Sequence, residues 1–435
     1  MTLSIRRSIA VVAVSAAAAA LPQSGAGQTA PKQVVKPPVS QAWIDVATFS
    51  GMGMGPGMMN ATLSSLMGGG GGAAPKAEFG YTEAGTAGRW MDVTLYTSRN
   101  TSLAEATQGV PAGTQLAPTL KLQTPERPKP APPTEEGPAD FNYEPPKGKL
   151  VMYWGCSESV RPGQPKVVDL STATVAELGK FFEARRATQR GAHATSGRPV
   201  WPSKDDKRTL PPNASIAGQH SFKAEGVPES FAFTIPPAQD VMPAVEIRQE
   251  KGPTAVKLSW NAIPTARAYF LGSMGALPDG EQGMLLWTSS ELPESGFGLF
   301  DYQTNTAVDG WLRDKVLLAP TVTTCAVPNE AAGQGMLRAI AYGTELNLAH
   351  PPRPTDPKIA WEPEWNVKIR VKSMTTTMMG MEGSMPSMDA GMGADATDAV
   401  EGTAAPGEQP AEEQKKKKKF NPFEVIKDAV KDAVP

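Results

Sequence analysis

Methionine is the side chain whose number and spacing suggest chemistry in this 435-residue sequence. Met52, Met54, Met58, Met59 and Met67 form one cluster. Met374, Met378, Met379, Met381, Met385, Met388 and Met392 form a second, and the two hold most of the 19 methionines. Thioethers are soft ligands that prefer Cu(I) over zinc or magnesium. In the second cluster, Met378, Met379 and Met381, followed by Met385 and Met388, could gather three sulfurs around one ion on a pliable chain. Neither cluster contains His or Cys, which fits Cu(I) or Ag(I) and argues against Cu(II) and zinc. The competing reading is a low-complexity tail that tolerates methionine. In the first cluster, Met59, Leu63, Leu66 and Met67 share one face of a short helix, so packing explains two of its members. No cofactor is therefore expected, with Cu(I) as the alternative.

The other reactive side chains form no convergent set. His193, His220 and His350 are far apart and show no metal-ligand spacing. Gly155-Cys156-Ser157-Glu158-Ser159 begins like a nucleophile elbow but lacks the closing glycine. Cys156 and Cys325 are the only cysteines, either a disulfide pair or two separate buried thiols. The glycines of 51–57 lack the strand and helix a phosphate loop needs. Arg185, Arg186, Arg190, Arg198, Lys204, Lys207 and Arg208 surround Trp201 as a modest basic cluster, diluted by Asp205 and Asp206 and read as a solvated surface. These observations predict a protein that is not an enzyme.

The elements that position these residues begin with a leader. Arg6 and Arg7 precede an apolar run from Ile9 to Leu21, which Pro22 ends and small residues follow. That order predicts a signal peptide over residues 1–27, and hence a periplasmic or secreted protein in which a disulfide persists. The apolar run is too short to span a bilayer. A formal net charge of −2 gives no general case for nucleic acid as partner. Glycine and proline number 42 each, well above ordinary usage, and predict many turns and linkers.

Residues 28–77 read as a flexible Met/Gly-rich segment. A β-rich domain with one helix is expected over 78–237. In it Met91, Val93 and Leu95 alternate with Trp90, Asp92, Thr94 and Tyr96 as a half-buried strand. Leu150–Trp154, Ser221–Phe222 and Phe231–Ile235 are further strands, and 124–147 is a Pro-rich excursion. Thr174 and Glu177 form a capping box ahead of Val175, Leu178, Phe181 and Phe182, a helix that Gly191 is expected to end and whose final turns would carry Arg185, Arg186 and Arg190.

In the second half, Val256, Leu258 and Trp260 alternate before a turn, and Ala266–Leu271 follows. Here "VKLSWNAIPTARAYFL" resembles the B and C strands of a fibronectin type III-like sandwich. That resemblance implies a β-sandwich over 243–373, with Trp260 and Tyr269 in the core between opposed sheets, and a spacer or binding module instead of a chemistry. Met284–Thr288, Thr321–Ala326 and Leu337–Tyr342 are compatible strands. The segments 292–313 and 351–363 depart from a minimal sandwich. Trp365, Val367, Ile369 and Val371 alternate with Asn366, Lys368, Arg370 and Lys372, an expected edge strand with a charged outer face.

Residues 374–435 read as a disordered Met-rich tail. Its end, Lys415–Pro435, pairs five lysines with a short amphipathic stretch and suggests peripheral membrane contact. The whole chain also resembles exported bacterial proteins. The expectation is a mainly β, exported, non-catalytic binding or structural protein of the cell envelope, whose partner is a protein or envelope component.

Overall fold

The computed structural model describes residues 33–52, 79–125, 147–278 and 280–380. The signal segment, Met54 to Met67, the excursion from 126 to 146, Met381 onward and Lys415–Pro435 lie outside the described residues. The described part is mainly β: 17 strands, with helices at Tyr81–Ala84 (α1), Val175–Phe181 (α2) and Asn305–Arg313 (α3).

The second half builds two opposed sheets. Strands β10 (Ile247–Lys251), β11 (Ala255–Trp260) and β14 (Thr324–Pro328) form a three-stranded sheet in the order β10-β11-β14. Facing it are β12 (Ala268–Gly275), β13 (Gly283–Thr288), β15 (Gly335–Tyr342) and β17 (Trp365–Met378), in the order β13-β12-β15-β17. Alternation along β11 turns Val256, Leu258 and Trp260 inward, where they join Tyr269, Leu271, Leu337 and Ala339 in one hydrophobic core. The rings of Trp260 and Tyr269 meet edge to face across the sheets at 5.7 Å. The Tyr269 hydroxyl accepts a hydrogen bond from the Ile263 backbone N–H at 2.9 Å, fixing the β11–β12 turn.

The larger sheet continues through both halves of the chain. On one side, β1 (Ser40–Gly51) pairs parallel with β17 and antiparallel with β2 (Gly88–Thr97), and the ladder runs on through short strands to β9 (Ala232–Ile235). On the other, β5 (Lys149–Trp154) pairs parallel with β13 and carries the hairpin partner β6 (Lys166–Asp169). The division expected between residues 237 and 243 is thus crossed twice by backbone pairing. The strands of the N-terminal half extend both edges of the sheet that the C-terminal half begins.

Five expectations are corrected. Residues 40–51, assigned to the flexible segment 28–77, form the sheet's central strand, because Ala42, Ile44 and Val46 alternate toward the core. β17 is not an edge. It pairs with β1 on one side and with β15 and β16 (Leu346–His350) on the other, and its Arg370 and Lys372 are buried. It also continues past the expected tail boundary at 374, since Met374 and Met378 pair with Ile340 and Met336 of β15. β2 is buried on both faces, Asp92 and Thr94 included. The capping box does form: Thr174 Oγ1 accepts from Glu177 N, and the Glu177 carboxylate accepts from Thr174 N at 2.8 Å. Yet α2 ends at Phe181, ten residues before Gly191, because Phe181 turns into a core with Leu150, Met152 and Leu286 and the chain then crosses the sheet face.

A disulfide joins Cys156, in the loop after β5, to Cys325 on β14, with Cα atoms 5.0 Å apart. Ser157 N donates to Ala326 O at 2.9 Å, so the same loop covers the outer edge of β14. The bond closes a separation of 169 residues and ties the N-terminal half to the smaller sheet. Replacing both cysteines by serine is expected to lower unfolding free energy by about 2–5 kcal/mol. Urea titration of the variant, beside oxidised and reduced wild type, measures this; the variant should match the reduced protein.

Candidate functional site

Four buried charged residues, Asp45, Asp92, Arg370 and Lys372, gather on the three neighbouring strands β1, β2 and β17. Register sets a row of three: Asp92 of β2 lies opposite Asp45 of β1, which lies opposite Arg370 of β17. One strand step along, Ala47 sits beside Lys372, and Lys372 beside Tyr342 of β15. Asp45 and Arg370 are 1% and 3% exposed. The Arg370 Nε and Nη2 groups donate to the two oxygens of Asp45, both at 2.6 Å, a bidentate pairing that matches guanidinium to carboxylate.

Two crossing segments close the row. From the stretch after α2, Gln189 O accepts from Arg370 Nη1 at 2.9 Å and Ala192 N donates to Asp45 Oδ2 at 2.7 Å. Gly191 lies directly over the ion pair, and a Cβ there would overlap both the guanidinium and the carboxylate. From the segment before α3, the Tyr302 ring lies 4.2 Å from the Arg370 guanidinium and 4.1 Å from Lys372 Nζ, and its hydroxyl donates to Val46 O at 2.9 Å. Asp301 accepts from Lys372 Nζ at 3.2 Å. Beside them, Glu294 is buried and receives Arg185 at 2.8 Å.

Asp92 completes the row on its other side. It takes no cation. Instead Thr82 donates from its hydroxyl at 2.5 Å and its backbone N–H at 2.8 Å, and Gly80 N donates at 3.1 Å. These bonds anchor α1, whose Tyr81 stacks on Trp90 at 4.5 Å. Burial pushes the Asp92 carboxyl up to about 6; the Thr82 and Gly80 hydrogen bonds oppose that rise and the facing Asp45 adds to it. For Arg370, burial acts to lower the value, but the Asp45 charge and hydrogen bonds outweigh it and the guanidinium is held above its ordinary range. Asp301 is held below its ordinary value: burial opposes this, and Lys372 overrides it. Burial, and next the Asp45 charge, keep the Tyr302 phenol well above the ordinary tyrosine range. Arg370 thus stays cationic and Tyr302 stays neutral, an arrangement that locks strands and crossing segments together.

The residues expected to do chemistry lie elsewhere. Met378 ends β17 and is half-buried, while Met379 is packed in the hydrophobic core with its backbone N–H on Gly335 O at 2.7 Å. Met379 is therefore part of the core. Met381, Met385 and Met388 lie outside the described residues. Among the described residues, no group of three or more His, Cys, Asp or Glu side chains is placed to hold a metal ion. His220 is buried between Gln108 and Ile216 O, His193 lies between Gly191 O and Arg198, and His350 stacks on Trp365.

The basic cluster surrounds a core residue. Trp201 is fully buried, Arg185 pairs with Glu294, Arg208 pairs with Asp206 at 2.6 Å, and Arg198 lies over Tyr96 at 4.7 Å. Arg185 and Arg198 are half-buried, whereas Arg186, Arg190, Lys204, Lys207 and Arg208 are exposed, so most of the cluster is solvated. No helix among the described residues is long and apolar enough to cross a membrane.

The charged row left a trace in the sequence. Asp45 and Asp92 each follow a tryptophan by two residues inside an apolar strand, in Trp43-Ile44-Asp45-Val46 and Trp90-Met91-Asp92-Val93. An isolated acid in such a run calls for a buried partner. What was missing was the identity of that partner, 325 residues away. Comparison with protein-family models, with curated proteins and with solved structures finds no match for this chain.

The Asp92 carboxyl gives a pH test. Its value is raised in the folded protein above the ordinary 3.8, so the folded state binds this proton more tightly. The contribution is present below pH 4 and is lost as pH rises through about 6, by up to about 3 kcal/mol. The difference in unfolding free energy between wild type and Asp92→Asn should therefore shift against the wild type between pH 4.5 and 7.5. Guanidinium titrations across that range measure it; a pH-independent difference refutes the assignment.

Proposed function

We propose that this chain is an exported, non-enzymatic protein of the bacterial cell envelope, acting as a structural or binding scaffold. The observation that carries the reading is the Cys156–Cys325 bond, which uses both cysteines of the chain and joins its two halves. A bond of that kind persists in oxidising compartments and is rare in the cytosol. The Arg6–Gly27 leader supports the same location. The strand orders β10-β11-β14 and β13-β12-β15-β17, with Trp260 meeting Tyr269 between them, support reading residues 243–373 as fibronectin type III-like. Such modules serve as spacers and binding platforms. The buried charges favour a scaffold over a catalyst, because each reaches a partner within the fold and together they stiffen it.

Expression in a Gram-negative host tests the location. The protein should appear in the periplasm or medium, with its N-terminus near residue 28, and its thiols should resist alkylation until reduced. Unprocessed, readily alkylated protein in the cytosol would refute export.

Cu(I) or Ag(I) binding is a second reading, favoured by the parallel pairing of β1 with β17. Met52 N donates to Thr376 O at 2.8 Å, so the chain enters one methionine-rich segment and approaches the other at the same end of the sheet. Anaerobic Cu(I) titration should show tighter binding by wild type than by a variant with Met381, Met385 and Met388 replaced by serine. Equal, weak binding by both would remove this reading.

A further inference from the structure

The first and last strands of the described fold are neighbours and run in the same direction. Twelve register pairs, from Ser40 with Trp365 to Gly51 with Thr376, join β1 to β17. The seam is prolonged at one end by Lys36 N donating to Trp361 O at 2.9 Å, and at the other by Met52 N on Thr376 O. The chain therefore enters the seam at one end, through residue 36, and leaves it at the opposite end, through residue 378.

The geometry points to a tension clamp. Force applied between the N-terminal and C-terminal sides pulls β1 and β17 in opposite directions along their own axes. The ladder hydrogen bonds, which lie across the strands, are then strained together instead of opening one after another. Neither strand can leave by parting from the other alone. β1 must also slide along β2, and β17 along β15 and β16. The Asp45–Arg370 pair sits near the middle of the seam, so sliding by one residue separates a buried ion pair before any surface pair is reached. The Cys156–Cys325 bond shields the 169-residue separation between its ends from extension. Such a fold suits a connector held at both ends. That use rests on the structural role proposed above; the clamp itself is a property of the isolated protein and is tested separately from location.

Single-molecule pulling on the full chain provides the test. In one arm the handles are at the two termini. In the other, one handle is at the N-terminus and one at an introduced thiol, Glu362→Cys. Glu362 is exposed, and its ion pair with Lys36 is a surface one of small weight. The native cysteines are already bonded to each other, so this thiol is unique among the described residues. The second arm loads both strands from the same end and peels the seam open. Terminus-to-terminus rupture should need about twice the force or more, since forced unfolding follows the unfolding barrier along the pulled direction. Equal or lower force in that arm overturns the clamp. Asp45→Asn should lower the terminus-to-terminus force more than the peeling force; an unchanged force overturns the part assigned to the ion pair. If that variant does not fold, the two pulling directions on the otherwise native seam still decide.

Discussion

The buried pairing of Asp45 with Arg370 is the constraint around which the rest of the structure is arranged. A guanidinium and a carboxylate removed from water are tolerated only when their hydrogen-bonding groups are met, and breaking such a pair costs about 3–5 kcal/mol. The fold meets that demand with two crossing segments. One supplies Gln189 O, Ala192 N and the bare backbone of Gly191; the other supplies the face of Tyr302. The pair also fixes the register of β1 against β17. A slip of one residue would turn Asp45 toward the apolar core and expose Ile44 and Val46 to the charged face.

The two faces of the central sheet therefore differ in kind. One is a conventional apolar core shared with β10, β11 and β14, where burial alone drives packing. The other mixes the charged row with an apolar patch, in which Phe49, Phe270, Ile340 and Met374 lie under α3 and its flanking segments. Interactions on the second face join residues far apart in sequence: Asp45 to Arg370, Arg185 to Glu294, Thr188 to Tyr302. With the disulfide, they bind the N-terminal and C-terminal halves into one continuous sheet. The polar groups of that face are used in holding segments together, which is the observation behind the proposed scaffold role.

Local features were legible in the sequence where their cause is local. The Thr174–Glu177 capping box announces α2, since the residues that satisfy its first backbone N–H groups lie within one turn. Alternation in Val256–Trp260 announces a strand, and the mainly β class follows from such patterns. The end of α2 was misread because Phe181 is drawn into a distant core. The flexible reading of residues 40–51 failed for a related reason. The Met/Gly-rich stretch beyond Gly51 obscured a strand whose partner lies more than 300 residues on.

By itself the sequence determined which segments alternate, where one helix begins, and which two cysteines were available to meet. Those are matters of periodicity and short-range hydrogen bonding. Only the tertiary structure decided that β17 is central and not an edge, that Arg370 and Lys372 are buried cations and not a solvated fringe, and that Met379 belongs to the core. The physical reason is that a strand's alternation states which residues share a face but not what covers it. Here the second face is covered by segments from both halves of the chain, and an acid at residue 45 has its counter-charge at residue 370.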